Sequence, residues 1–474
     1  MKIFKINITV LVLALFFVSC EDELATSPYD QLSAENAFST VNDIEQGALG
    51  AYAAISGQNI YALNALITDN LRRASTNTGQ GMQIFNHNII PGDGTVSGLW
   101  SNSYAIIDRV NRVLAAAENI EAATANEEDI LNRVRGEMLA LRAYQHFELY
   151  RNFADYDYPD NAGLAVPYML ESQISQPARD TKQDFFTLLN EDLNEAEAIL
   201  EGYGYGSGSG NISNERLNAW ALKGLRARVA QYTEQWQDAI DYATEVINNV
   251  QLTDASTFPS LWDDSVEGEV IFKLPRLTSS DGTISIFERA TNSDVFFYAS
   301  NELTGLYDTD NDVRFASYFE VVEEGFVKVQ KYNKISGQKN VADIKMMRVA
   351  EMYLIRAEAY AQDGAQQDLG AAAADINTLR ANRYASNAPT VTYNSSNEAL
   401  DDIRLEYRLE LAYEGHRYYD LKRAGLPVTR IEDDIDNATA SDGFEASSPF
   451  FVLPIPQNEI FANDNMIQNP GYSE

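Results

Sequence analysis

Hydrophobic positions recur along most of the chain at intervals of three and four residues, the spacing that lines one face of a helix. Leu217, Ala221, Leu225 and Val229 form one such stripe, with Ser213 or Asn214 placed to cap its start. After a break at Thr233-Glu234 a second stripe follows, through Trp236, Ile240, Ala243, Ile247 and Val250. Ala227, Ala230 and Ala239 are small enough to let these two helices approach closely. A further pair is marked by Met347, Ala350, Leu354, Ala357 and Ala361, a turn at Asp363-Gly364, and then Leu369, Ile376 and Leu379. Two more helices are predicted around residues 104–117 and 131–150, with Leu139, Ala143, Phe147 and Tyr150 on one stripe of the second. Helical hairpins of this tetratricopeptide-like kind cannot bury their apolar faces alone and must stack on one another. The expectation is a mainly α scaffold.

Two stretches break that pattern. Residues 57–100 and 255–345 are rich in Asn, Gly, Ser, Asp and Thr, with strand-like pieces at Val270 to Leu274 and Phe326 to Tyr332. Loops of such length in a compact domain are functional or disordered, and their aromatic content speaks for function. The loop from Gly202 to Gly210 lacks the Lys-Ser/Thr pair of a phosphate cradle and follows no strand.

The front end reads as an address. Lys2 and Lys5 precede an uncharged, apolar run from Ile8 to Val18, and Ser19-Cys20 then leads into Glu21, Asp22 and Glu23. A spanning helix needs about 20 apolar residues, so this run has the length of a signal-peptide core instead. Cys20 is the only cysteine, which rules out an internal disulfide. Phe17-Val18-Ser19-Cys20 resembles a lipobox, in which the thiol is acylated and the chain is cleaved before it. An ordinary signal peptide with an incidental cysteine is the alternative. The expectation is that residues 1–19 are removed and that acyl chains on Cys20 tether the remainder to a membrane without crossing it.

Charge narrows the partners. The formal net charge is −35, a surface that repels nucleic acid. With 45% hydrophobic and 11% aromatic residues, the acidity does not signal disorder.

Catalysis finds little support. His87, His146 and His416 are far apart and none sits in a zinc-protease motif. Among 70 acidic residues some carboxylate pair always looks suitable for glycoside hydrolysis, so that signal has no specificity. Asp308, Asp310 and Asp312 are spaced like the start of a calcium loop, but Val313 and Phe319 stand where Gly and a bidentate Glu belong. The leading reading there is a turn with Arg314 pairing locally, and a structural Ca²⁺ is the alternative.

RLEYRLELAYEGHRYYDLKR, from Arg404 to Arg423, and LPIPQNEIFANDNMIQNPGY, from Leu453 to Tyr472, resemble the signature helix and the C-terminal end of the SusD/RagB family of nutrient-uptake outer-membrane lipoproteins. Met352 to Ala361, Leu141 to Tyr150, Ser300 to Phe315 and the Trp100, Tyr104, Ile107, Asn111 spacing add support. The resemblance implies one SusD-like domain over 20–474, with an N-terminal part to about residue 255 and a C-terminal part from about 256. It implies a helical scaffold with loops and short strands building a ligand face, and no enzymatic activity. It also implies capture of oligo- or polysaccharide at the cell surface and delivery to a SusC-like TonB-dependent transporter. A RagB-like member would take peptides or a protein instead. The charged signature residues are read as ion pairs clamping this helix to the C-terminal tail.

A glycan site needs exposed aromatic faces flanked by hydrogen-bonding side chains. Trp220 and Trp236 lie on hairpin helices and are assigned to the core. Trp100 at a helix start and Trp262 in irregular chain remain candidates. Phe296, Phe297 and Tyr298 are three successive aromatics in a polar stretch and cannot all point inward. Asp69, Arg72, Arg73, Asn77, Phe85 and Asn86 lie where the chain resembles the family's ligand-facing loops.

Overall fold

The computed structural model describes residues 37–156, 163–203, 213–276, 286–289, 294–332, 341–435 and 441–473. Cys20 and the leader before it, and most of the loop beginning at Gly202, lie outside the described residues.

Two long helices, α4 (Gly94–Ala117) and α5 (Ala125–Phe153), pack side by side behind α1 (Val41–Ala53), α2 (Gly57–Ile67) and the short α3 (Met82–Phe85). They run longer than the predicted 104–117 and 131–150. Asp93 caps α4 by accepting from the amides of Thr95 and Val96, and Thr124 caps α5 through the amide of Glu127. Helix α2 falls inside a stretch read from sequence as irregular. Tyr61, Leu63, Leu66 and Ile67 are all buried, so no polar face betrays its period.

Helix α6 (Lys182–Leu200) packs on α5, and the hairpin of α7 (Ala219–Tyr232) and α8 (Trp236–Asn249) follows. Its break is where the sequence puts it, with Glu234 in a left-handed conformation. Its cap is neither Ser213 nor Asn214 but Asn218, whose side chain accepts from the Ala221 amide. Asn214 is occupied elsewhere, donating to Glu267. Trp220 and Trp236 are partly buried against the core. Gly224 lets α7 press on the next layer, because a Cβ there would lie 2.2 Å from Met347 Sδ.

Met347 does not belong to the following helix. It sits on β6 (Ile344–Arg348), antiparallel to β2 (Val270–Leu274), and α11 (Val349–Ala361) begins only after the strand. Helix α12 (Leu369–Ala381) completes that hairpin, and α13 (Ser396–Glu410) packs on α11 and α12. The other strands form two-residue to five-residue pairs: β1 (Leu71–Arg73) with β3 (Phe297–Ala299), β4 (Phe319–Glu323) with β5 (Phe326–Val329), and β7 (Val428–Thr429) with β8 (Gly443–Phe444). Short helices α9 (Asn301–Thr304) and α10 (Val313–Tyr318) lie between strands, and α15 (Gln457–Ala462) lies in the tail, after α14 (Arg417–Ala424). One continuous apolar core runs from Ile44 to Met466, with a smaller one among α11, α12 and α13. No helix among the described residues is long and apolar enough to cross a membrane.

The segment expected as one signature helix is two. Helix α13 ends at Glu410 and α14 starts at Arg417, with Tyr413 and Gly415 between them at φ of 65° and 82°. The break frees backbone carbonyls, and buried groups take them up: Lys331 donates to Ala412 O at 2.8 Å, Tyr332 to Tyr413 O at 3.1 Å, and Arg348 to Glu410 O at 3.1 Å.

Candidate functional site

The chain from Thr68 to Arg73 leads out of the core into β1, and its root is held by side chains from far along the sequence. Arg430 donates twice to Thr68 O, at 3.0 and 2.9 Å. Arg408 donates to Asp69 O at 3.3 Å and to Asn70 Oδ1 at 3.0 Å. Tyr413 and the Ser300 amide both donate to Asn70 O, at 2.8 and 2.9 Å. Arg417 grips the Asp69 carboxylate with two nitrogens at 2.9 and 2.6 Å. Burial pushes the Asp69 pKa up, but Arg417 and Arg408 outweigh it and hold the carboxyl down at about 2.

Beyond this root the strand pairs Leu71 with Ala299, Arg72 with Tyr298 and Arg73 with Phe297. Side chains alternate across a strand, so Arg72 and Tyr298 share the outer face while Leu71, Phe297 and Ala299 turn inward. Phe326 on β5 completes the group and is 38% exposed. Its ring centroid lies 5.3 Å from that of Tyr298 at 76°, and the Arg72 guanidinium sits 4.5 Å from the Phe326 centroid and 5.7 Å from that of Tyr298. Arg72 also donates to Gly325 O in the β4–β5 turn. The result is two half-open aromatic rings wedged by one arginine. Apolar C–H faces of a ligand would find the rings, and its hydroxyls the arginine edge.

The remaining candidates are elsewhere or already engaged. Trp262 is fully buried among Phe258, Tyr318 and Tyr332, so it is a core residue and no surface platform. Phe297 and Phe85 are buried and face each other at 5.2 Å, and Arg430 stacks 3.9 Å from the Phe85 centroid. Phe296 is buried under Arg289, whose guanidinium lies 5.3 Å from its ring centroid. Of the three successive aromatics, only Tyr298 turns outward. Asn77 is buried and staples its own turn, donating to Gln80 O and Phe296 O and accepting from the Gly79 amide. Asp69 is consumed by its two arginines, and Arg73 donates to Asn77 O at 3.1 Å. Asn86 is half-buried, and its Oδ1 has no partner among the described residues. Trp100 is buried against Tyr104 and Phe153, in the second turn of α4, and lines a separate groove of about 340 Å³ beside the tail.

Phe326 was legible only as part of a strand-like piece. Its signal is the period of two after Gly325: Val327 and Val329 are buried, which leaves Phe326 and Lys328 on the open face.

The signature charges form a buried hub, and they do not clamp the tail. Arg348 bonds Glu269, Glu410 and Glu414; Arg383 bonds Glu269 and Glu410; Arg314 bonds Asp312, Glu406 and Glu410; and Lys331 bonds Glu414. Glu414 therefore pairs across the fold with Arg348 and not locally with Arg417, whereas Asp420 does face Arg423, at 3.6 Å. The tail is fixed by other groups. The Leu453 amide donates to Asn152 O, Asn469 donates to Phe153 O and Leu453 O, and Arg179 donates to Ile467 O. From the signature segment Tyr418 donates to Phe450 O at 2.8 Å, three residues before the tail begins.

Asp312 caps α10 and pairs with Arg314, as the turn reading expects, and Asp308 accepts from the amides of Asp310 and Asn311. Among the described residues no three His, Cys, Asp or Glu side chains converge as metal ligands.

Stacked helical hairpins thus carry, on short strands, two half-open rings and an arginine. Residues 225–472 match the model of the SusD family, residues 24–230 match a model described as starch-binding associating with outer membrane, and the chain belongs to the SusD family. The family is one of carbohydrate-binding, non-catalytic proteins. A SusD-like protein of Formosa agariphila is 24% identical over 99% of this chain and 100% of its own length. A SusD superfamily structure from Bacteroides thetaiotaomicron superposes with a TM-score of 0.79 at 24% identity, covering 91% of this chain and 100% of its own. A laminarin-binding SusD-like protein superposes with a TM-score of 0.70 at 22% identity, covering 92% and 100%. These two likenesses are of fold.

Proposed function

We propose that this protein is a cell-surface lipoprotein that captures oligo- or polysaccharide on the Arg72–Tyr298–Phe326 platform and passes it to a SusC-like TonB-dependent transporter in the outer membrane. The observation that carries the reading is the half-exposed pair of rings wedged by Arg72, beside the Phe85–Phe297 pair that is sealed in the core. Acylation at Cys20 would keep the domain at the outer membrane, in keeping with the family description.

For the transporter contact we propose the face built by the segments that carry Ile90, Ile174 and Phe461, which are 56%, 107% and 76% exposed. Their segments are stitched together: the Gln457 amide donates to Pro91 O, Gln176 to Ala462 O, and Asn463 to Pro177 O. Exposed apolar patches on a strongly charged chain mark interaction surfaces.

Calorimetry against a polysaccharide panel that includes laminarin and soluble starch tests the reading. Saturable binding, weakened about 5-fold to 30-fold in Tyr298→Ala, is expected. Binding of peptides alone would replace the glycan by the RagB-like alternative. Radiolabelled palmitate should enter the wild type and not Cys20→Ala.

A further inference from the structure

Resting on that reading of the platform, we infer that Arg417 and Arg408, gripping Asp69 and Asn70, are positioning residues that set the ligand affinity of Arg72 without touching the ligand. Three consecutive carbonyls at the root of β1, those of Thr68, Asp69 and Asn70, are each taken by a buried or half-buried donor. The two carboxylate oxygens of Asp69 are both committed to Arg417, a bidentate pairing that fixes direction as well as distance. Asn70 is two residues from Arg72, and within that distance an extended chain has little freedom to correct an error.

The opposite edge of the platform is set by the same segment. Arg408 bonds Glu302 of α9 at 2.8 Å, and the Ser300 amide reaches back to Asn70 O, so β1 and the end of β3 share one fastening. Asp434 accepts from the amides of Asn301 and Glu302 and locks α9 from the other side. Arg408, Tyr413 and Arg417 are spaced along the α13–α14 break, so the sharp turn that closes the charge hub also aims these donors at the ligand strand. A site displaced by about 1 Å loses much of its affinity although every contact residue is present.

The test is Arg417→Met beside Arg417→Lys, since Arg417 is 18% exposed and Arg408 remains beside Asp69 at 3.4 Å when it is lost. Laminarin and soluble starch serve as probes by calorimetry, and amide exchange is followed over the whole chain. The expected result for Arg417→Met is about tenfold weaker binding, equivalent to about 1.4 kcal/mol. Exchange should quicken most at residues 71–74 and 297–300, with the melting midpoint lowered by no more than the Asp69 ion pair supplies and the exchange of α5 and α11 changed far less. Arg417→Lys, which keeps the charge, should recover part of the affinity. Unchanged exchange at residues 71–74 in Arg417→Met overturns the inference, and so does a speed-up spread evenly over the chain. If the wild type binds neither probe while the local exchange difference is present, the sugar reading falls and the positioning role of Arg417 stands.

Discussion

The molecule contains two clusters in which cations press on aromatic rings, and they differ in what they leave open. Around Trp262, Lys331 Nζ lies 4.3 Å from the indole, with Arg348 at 5.4 Å and Lys345 at 5.6 Å. Every one of these cations also meets a carboxylate, and the ring itself is wholly buried. Around Phe326, Arg72 meets a backbone carbonyl and two rings, and the phenyl stays 38% open. Residue type is nearly the same in both places. What differs is the remainder: the inner cluster has spent its ring faces and donors on the protein, and the outer one has not. A cation–ring pair becomes a platform only where that remainder faces water.

The largest effect is expected at the hub. Arg348→Met removes a guanidinium shared by Glu269, Glu410 and Glu414 and leaves these three buried carboxylates to Arg383, Arg314 and Lys331. Breaking one partner of a buried pair costs about 3–5 kcal/mol, and urea unfolding should show at least that loss. Arg72→Met should leave the urea midpoint unmoved. A hub variant as stable as the wild type would erase the distinction between the clusters.

This asymmetry also explains what could be read from the residues. The hairpins were legible because Leu225 and Ile240 alternate with polar positions at helical period. Helix α2 was not, because from Tyr61 to Ile67 its positions are apolar apart from Asn64, so no polar face marks the period. Two of the candidate stretches lie on β1 and β3, yet Phe297, Phe85 and Trp262 went to the core and Phe326 came forward. Composition marks aromatic and arginine residues as useful without saying which way a strand presents them. That direction is set by the register Arg72 to Tyr298, which depends on fastenings more than 300 residues away, such as Arg417 on Asp69.

A middle-sized effect depends on acid. Asp69 has its pKa lowered from 3.8 to about 2, so the folded protein binds that proton more weakly than the unfolded chain. Its contribution, about 2 kcal/mol, is present above about pH 4 and is lost as the pH falls toward about 2. Urea unfolding of wild type against Asp69→Asn should therefore differ at neutral pH and converge in acid. A difference independent of pH would mean that the fastening at the platform's root is not the ion pair.

Ligand contacts come next. Truncating Tyr298 or Phe326 to Ala removes an open ring face, and each should weaken glycan binding by about 1–2 kcal/mol, roughly 5-fold to 30-fold. Trp262→Phe serves as the contrast: it alters a sealed ring, so it should move the melting midpoint and leave affinity alone. Equal losses of affinity from all three would show that the inner and outer clusters are not separate.

The smallest effect, and the finest division between the clusters, is expected from Arg72→Lys. Lysine keeps the charge but not the planar fork that lies against two rings and also reaches Gly325 O. If Arg72 acts as a flat edge, as its stacking on Phe326 implies, the lysine variant should bind a neutral glucan about two-fold to five-fold more weakly, a cation–ring contribution of about 0.5–1 kcal/mol at an exposed site. Added salt should barely change that ratio, since a neutral sugar offers no charge to screen. If instead affinity were retained in Arg72→Lys and fell steeply with salt for both proteins, Arg72 would be acting as a point charge on an anionic ligand. The platform would then share with the hub its dependence on charge, and the contrast would rest on burial alone.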